Sequence, residues 1–353
     1  MPRVKPRAKE TTPSPGRGVT GIRRVAEEAG VSIATVSRVL SGHPHGSDDV
    51  RRRVLDAAER LHYQPSAAAR GLRTTRSMIV GVLVPNLANP TVVPFLRGVE
   101  HVAQAQGYAV LVADGQRSAA VERQALDRLR AQRVDALIVP APPSDLDHLR
   151  ELQAEGLTIA EGPFDDPASW SLAALETAAT RAACEHLAAL GHRRIGFVAR
   201  TATRASTSGG RWALVSSACR RAGLEATRIV IADGASAGSV ALQLEQARRQ
   251  GSLSALVSAT HPLAPSLLVA LGAAAVDLPA ACSLVLYGDS DWSAAYRPAL
   301  NVIRRDLYEV ATALTERVLA RLGGAGELPP WHPPPAEYIV RRSVAAPRNP
   351  PPV

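Results

Sequence analysis

Two groups of residues in this chain have types and spacing that could do chemistry. The first is Gly234-Ala235-Ser236-Ala237-Gly238, a glycine-flanked serine between an expected strand and an expected helix, followed in order by Asp289 and His332. In that reading Ser236 attacks an acyl carbon, His332 takes its proton and Asp289 orients the imidazole. This serine esterase is the remote alternative. A chain rich in Ala, Gly and Ser generates such pentapeptides by composition, and Trp331-His332-Pro333-Pro334-Pro335 holds its histidine in an extended surface segment. The second group is Ser32, Ile33, Ala34, Thr35, Ser37 and Arg38. Here the Arg38 fork can bond O6 and N7 of a guanine, a pairing that discriminates by roughly 1–3 kcal/mol. Ile33 and Ala34 can touch a thymine methyl or exclude bulk, while the hydroxyls of Ser32, Thr35 and Ser37 suit the phosphate backbone. That is the chemistry of reading duplex DNA.

Such residues need a helix to carry them. Ile22, Val25, Ala26 and Ala29 recur at the spacing of one helix face. Gly30 can take positive φ and end that helix, and Ser32 caps the next. In the second helix Val36, Val39 and Leu40 form the buried stripe, leaving the reading residues outward. The pair is a helix-turn-helix. Ser47-Asp48-Asp49 opens a third helix reaching about residue 62, with Val50, Val54, Leu55, Ala58 and Leu61 facing inward. After Tyr63-Gln64-Pro65 comes a short Ala-rich helix, 66–72, flanked by Arg70, Arg73 and Arg76. Ala69 and Leu72 there suit the minor groove, where a leucine can wedge between base steps at a cost of a few kcal/mol. Gly71 costs about 1 kcal/mol in a helix, so this hinge should be disordered off DNA.

Charge supports a polyanionic partner for this region. Residues 1–76 carry 15 Lys and Arg against 7 Asp and Glu, leaving 26 basic and 25 acidic of the chain's 41 and 32 for all the rest. At 353 residues there is length for two or three domains. Residues 1–18 read as a disordered basic tail and 346–353 as a Pro-rich one. Cys184, Cys219 and Cys282 read as buried thiols, not as a disulfide framework or a zinc cluster. The phosphate loop, the dinucleotide glycine fingerprint and His-Glu-x-x-His are missing, and His43-Pro44-His45 is a weak metal clip; neither metal nor cofactor is expected. The lack of an apolar signal core and of any membrane-length run points to the cytoplasm, at the nucleoid.

Beyond Arg76 the pattern turns to alternating strands and helices. Strands are expected at 79–84, 108–113, 136–139 and 157–160, with helices at 91–106, 118–132 and 144–154. A second series has helices at 171–190, 211–222, 239–250 and 263–275 and strands at 194–198, 228–232, 255–258 and 283–287, before a helix at 305–322 and a strand at 337–340. Alternation of this kind means parallel sheets covered by helices, with ligands beyond the carboxyl ends of the strands.

Gly30-Val31-Ser32-Ile33-Ala34-Thr35-Val36-Ser37-Arg38-Val39-Leu40, Tyr63-Gln64-Pro65-Ser66-Ala67, Leu72-Arg73 and Leu190-Gly191-His192-Arg193-Arg194-Ile195-Gly196-Phe197 carry a resemblance to the lactose-repressor (LacI/GalR) family of bacterial transcriptional regulators. It runs from about residue 19 to 345. The resemblance implies an all-α headpiece (19–64), a hinge helix (65–76) and a two-lobed, periplasmic-binding-protein-like (type I) α/β sensor (77–345). Lobe 1 would span about 77–172 and 304–334, and lobe 2 about 173–303 and 335–345. It implies a repressor that binds a pseudo-palindromic operator as a homodimer, with tetramers left open, and the Leu of the hinge helix at Leu72. It also implies a small-molecule effector, carbohydrate-like, bound at Asn89, Arg211 and Asp289. Asp114, another strand-end carboxylate, is a fourth candidate, and Trp170, Trp212 and Trp292 could stack on a ring. An Arg and a carboxylate from opposite lobes would suit a polyhydroxylated ligand. Several positions depart from the family: Thr91 and Val92 replace aromatics, Leu214 a Gly, Thr260-His261 an Asn-Asp, and Gly288-Asp289 a double Asp. The alternative is therefore a LacI-like regulator that has lost small-molecule sensing.

Overall fold

A computed structural model describes residues 21–40, 47–63, 76–116, 118–139, 146–161, 172–200, 207–232, 234–325 and 333–348. Ala69, Leu72, His332, Trp170 and the His43-Pro44-His45 loop lie outside these residues. The chain divides into two units, residues 1–77 and 78–353.

In the first unit, α1 (Ile22–Ala29) stops where Gly30 adopts φ +64°, and the Gly30 N–H closes onto the carbonyls of Ala26 and Glu27. Helix α2 (Ile33–Leu40) starts with the Ser32 hydroxyl accepting the Thr35 N–H at 3.1 Å. Helix α3 (Asp48–Arg60) is capped in the same way by Ser47, with Asp48 and Asp49 at its positive end. Val25, Ala26, Ala29, Val36, Val39, Val54, Ala57 and Ala58 form the shared core. Two residues are not where periodicity puts them. Leu55 is 46% exposed and Ala57 is buried instead, because the stripe Val54, Ala57, Ala58 leaves Leu55 a quarter-turn off axis. Ser37 is only 5% exposed, because the core reaches past Val36 on α2.

The second unit holds two sheets. The first has the order β2–β1–β3–β4, all parallel: β1 (Ile79–Val84), β2 (Ala109–Asp114), β3 (Ala136–Val139) and β4 (Thr158–Glu161). Alternation along β1 separates its two cores. Val80, Val82 and Val84 pack under α4 (Val92–Ala105) and α12 (Leu307–Leu322), while Leu83 meets α5 (Ala119–Ala131) and α6 (Leu146–Ala154). Gly98 permits the α4–α12 crossing, since a Cβ there would collide with the backbone carbonyl of Tyr308.

The second sheet runs β10–β9–β8–β7–β5–β6. Its parallel strands are β5 (Arg194–Arg200), β6 (Glu225–Ile231), β7 (Ala255–Ser258), β8 (Ser283–Tyr287) and β9 (Asn301–Arg304), and β10 (Glu337–Ile339) joins antiparallel. Helices α7 (Leu172–Ala189) and α8 (Thr207–Arg221) cover one face, with α9 (Ala237–Gly251) and α10 (Ala264–Ala273) on the other. The small helix α11 (Asp291–Ala295) and strand β9 are elements that periodicity does not reveal. The chain passes between the sheets three times: β4 to α7, β9 to α12 and α12 to β10.

The C-terminal segment laces the second sheet. His192 is fully buried, with Nδ1 2.7 Å from Ser254 Oγ and Nε2 3.0 Å from the Ala345 carbonyl. Ser343 donates to the Leu284 carbonyl at 2.6 Å. Cys184 and Cys219 sit with sulfurs 3.6 Å apart between α7 and α8; all three cysteines are free and buried. Among the described residues no helix is long and apolar enough to cross a membrane.

Candidate functional site

The outward face of α2 presents Ile33, Ala34 and Arg38 to solvent, with Thr35 half-buried beside them. Ser32 Oγ and Thr35 Oγ1 are 2.9 Å apart, so these hydroxyls brace the start of the helix. Arg38 makes no ion pair or hydrogen bond among the described residues. Its α3 neighbours differ, since Arg52 and Arg53 both pair with Asp49. Ser37 is only 5% exposed, recessed beside the open side chains of Ile33, Ala34 and Arg38.

In the second unit the candidate residues gather at the carboxyl ends of the strands. Arg211 lies near the start of α8 and is buried against Glu176 on α7. Arg211 Nε donates to Glu176 Oε2 at 2.8 Å and Nη2 to Oε1 at 2.6 Å, while Nη1 donates to the Ala259 carbonyl at 2.7 Å. The guanidinium carbon sits 4.4 Å from the centre of the Tyr287 ring. Arg305, directly after β9, brings Nε to 3.1 Å from the same Glu176 Oε1. Burial alone would raise the Glu176 carboxyl, but Arg211 and then Arg305 outweigh it and hold it below the ordinary carboxylate value. Burial would likewise lower the Arg211 pKa, and Glu176 outweighs it.

Asp289 follows β8 and is fully engaged. Arg341 donates to Oδ1 at 2.9 Å and to Oδ2 at 2.7 Å, Ser293 Oγ donates at 2.6 Å and the Ser290 N–H at 2.9 Å. Burial raises this carboxyl, and the Arg341 and Ser293 bonds more than reverse the effect. The expected lobe assignment places Arg211 and Asp289 together and Asp114 on the other sheet, and the strands carry them so. Arg211 and Asp289 stand on the same sheet, each locked to its own partner, because α7 and the C-terminal segment reach them first. On the other sheet Asn89 Oδ1 accepts the Thr91 N–H at 3.2 Å and Asp114 Oδ1 accepts the Gln116 N–H at 2.9 Å, both as turn caps. The two sheets approach at Gly288, where a Cβ would stand 2.8 Å from His261 Cβ and 3.3 Å from Thr91 Cγ2. His261 pairs with Ser290 at 2.9 Å and meets Trp292 edge-on at 5.0 Å between ring centres. Trp212 packs at 5.7 Å against Phe197. Both tryptophans thus have core partners.

The glycine-flanked serine is a helix cap. Ser236 Oγ accepts the Ser239 N–H at 3.2 Å to start α9, and the aspartate that would serve it is held by Arg341. Among the described residues Ser236 and Asp289 are thus each committed to another partner.

Family models place these two regions. "Bacterial regulatory proteins, lacI family" matches residues 21–66, "Periplasmic binding proteins and sugar binding domain of LacI family" matches 77–256, and "Periplasmic binding protein-like domain" matches 184–344. The HTH-type transcriptional regulator GalR of Escherichia coli K12 is 30% identical over 304 residues, 85% of this chain and 88% of that protein. The chain belongs to the LacI family. The HTH-type transcriptional regulator PtxS of Pseudomonas aeruginosa is 31% identical over 344 residues, covering 94% of this chain and 97% of that one. A crystal structure of the lac repressor dimer bound to operator and the anti-inducer ONPF superposes with TM-score 0.77 at 25% identity, over 93% of this chain and 100% of that chain. As a member of the LacI family the protein is a DNA-binding transcriptional regulator, and not an enzyme.

Residue types alone do not reveal Glu176, Arg305 and Arg341. One signal existed: Glu176 falls on the apolar stripe of α7 with Ala179, Ala183 and Leu187, where a lone carboxylate demands a buried partner. Nothing local marks Arg305 or Arg341.

Proposed function

We propose that this LacI-family regulator represses transcription by binding a pseudo-palindromic operator as a homodimer, and that a small molecule between the lobes sets its hold on DNA. The observation that carries the reading is the α2 face, with Ile33, Ala34 and Arg38 exposed on a helix whose other side is locked into the core. One strong base reader recognises few base pairs, so two copies on a two-fold site are needed. Exposed apolar surface for a second copy is present: Leu242 on α9 is 73% and Val269 on α10 58% exposed, and strand β2 leaves Leu111 and Val112 open at a sheet edge. In this reading 65–76 is the hinge that carries Ala69 and Leu72 into the minor groove, and Asn89, Asp114, Arg211 and Asp289 frame the effector cleft. The protein would act in the cytoplasm, on the nucleoid.

Selection of bound duplexes from a random pool should return an inverted repeat, and sedimentation should give a dimer. A purified protein with no preference over scrambled competitor at physiological salt overturns the reading. A second reading, a regulator without small-molecule sensing, is favoured by the internal pairing of Arg211 and Asp289. It predicts that no metabolite alters operator affinity.

A further inference from the structure

We infer that the ligand held between the lobes is an anion, whose carboxylate or phosphate group seats on the Arg305 guanidinium. This rests on the effector-controlled reading above and names the ligand's chemical class.

The first ground is charge balance. At the carboxyl edge of the second sheet Asp289 and Arg341 cancel one against one. Among the described residues Glu176 alone faces both Arg211 and Arg305, so there one positive charge is left over. Of its charged sequence neighbours, Arg304 pairs with Glu337 at 2.6 Å, and the Asp306 carboxylate turns to the start of α12, where it accepts the Glu309 N–H at 3.0 Å.

The second ground is which nitrogens are spent. Arg211 uses Nε, Nη1 and Nη2 on Glu176 and Ala259. Arg305 spends only Nε on Glu176, and among the described residues its Nη1 and Nη2 have no partner. Those two nitrogens are the paired donors that match the two oxygens of a carboxylate or phosphate. Because Glu176 fixes Nε, the guanidinium is oriented before any ligand arrives, which lowers the entropy a ligand must overcome.

The third ground is position. Arg305 sits where the chain leaves β9 of one sheet for α12 of the other, beyond the carboxyl end of a parallel strand. Its side chain is 22% exposed, open enough to be reached and recessed enough to limit screening. Burial, with the nearby Arg211, pushes its pKa below the usual arginine value despite Glu176, and a negative group there would favour the charged form. A neutral sugar offers nothing of the kind.

The test uses the full chain and calorimetry with ligands that share a ring and differ in charge: glucose, glucuronate and glucose 6-phosphate, then ribose, ribose 5-phosphate and inorganic phosphate. At least one anion should bind roughly tenfold or more tighter than its neutral counterpart, and the glucuronate and phosphate arms separate the two anion classes. In Arg305→Gln that ratio should collapse toward one, while Arg305→Lys keeps part of it. Operator affinity without ligand should stay unchanged in both variants, which shows that they fold. A purely structural Arg305 would lower the melting temperature and leave the ratio intact, and that result overturns the inference. Neutral sugars binding as well as the anions overturn it while sparing the effector reading. No binding by any of the six probes, with operator binding intact, overturns it; if a wider metabolite screen is also silent, the effector reading falls too.

Discussion

The face of α2 and the carboxyl edge of the second sheet treat their polar groups in opposite ways. On α2 the one guanidinium suited to a base edge, Arg38, is exposed and makes no bond within the described residues. At the sheet edge Arg211 and Asp289 are each bonded internally on several atoms. A group that meets DNA must remain hydrated until the duplex arrives, so it lies on a helix surface without partners. A charge inside a fold must instead be matched, because an isolated buried ion costs several kcal/mol. The comparison teaches that matching a family position does not make a residue available for binding. Availability is set by what else the fold has placed beside it.

The largest expected effect would break the sheet-edge half of this contrast. Glu176→Gln leaves Arg211 and Arg305 facing each other without a counter-charge and should cost about 3–5 kcal/mol. Chemical denaturation of the full chain would measure it; a loss under about 1 kcal/mol would mean that water already reaches these guanidiniums. The headpiece, with its own core, should keep its helical signal. Next comes Arg38→Ala, expected to remove about 1–3 kcal/mol of preference for the selected operator over a single-base variant. Nonspecific, salt-sensitive binding should survive, and an equal loss on every sequence would assign Arg38 to phosphate contact. Acid sharpens the contrast further. Because Asp289 is held below the usual carboxylate value near about 3.9, its bonds with Arg341 stabilise fully above that pH and are lost as pH falls through its folded value. Asp289→Asn should therefore be less stable at neutrality and lose less between neutrality and pH ~2 than the parent. The smallest effect belongs to Ser236→Ala, which removes a helix cap worth about 1 kcal/mol. No ester hydrolysis should be present to lose.

Legibility in the sequence follows range. The headpiece could be read almost residue by residue, because its helices are set by local spacing and by Gly30, Ser32 and Ser47 at their ends. Its two errors, Leu55 and Ser37, both sit at the border of a helical stripe, where neighbouring helices decide burial and the period does not. The strands of both sheets announce themselves as apolar runs. Strand β9 does not, since Asn301-Val302-Ile303-Arg304 has only two apolar residues between polar ends and owes its place to pairing with β8 and β10. The cleft was the least legible part. Arg211 meets a carboxylate 35 positions away and Asp289 a guanidinium 52 positions away, contacts that only the folded sheets create.

The lacing of the second sheet by residues 341–345 has a consequence for how the protein is made. A chain synthesised from its first residue completes the headpiece, whose core ends at Tyr63, while most of the sensor is still untranslated. The second sheet must wait for Arg341, Ser343 and Ala345 to emerge before Asp289, Leu284 and His192 find their partners. During that interval the nascent polypeptide carries a finished reading head and an unfinished governor. Closure of the second sheet thus depends on residues 341–345, translated long after the headpiece is whole.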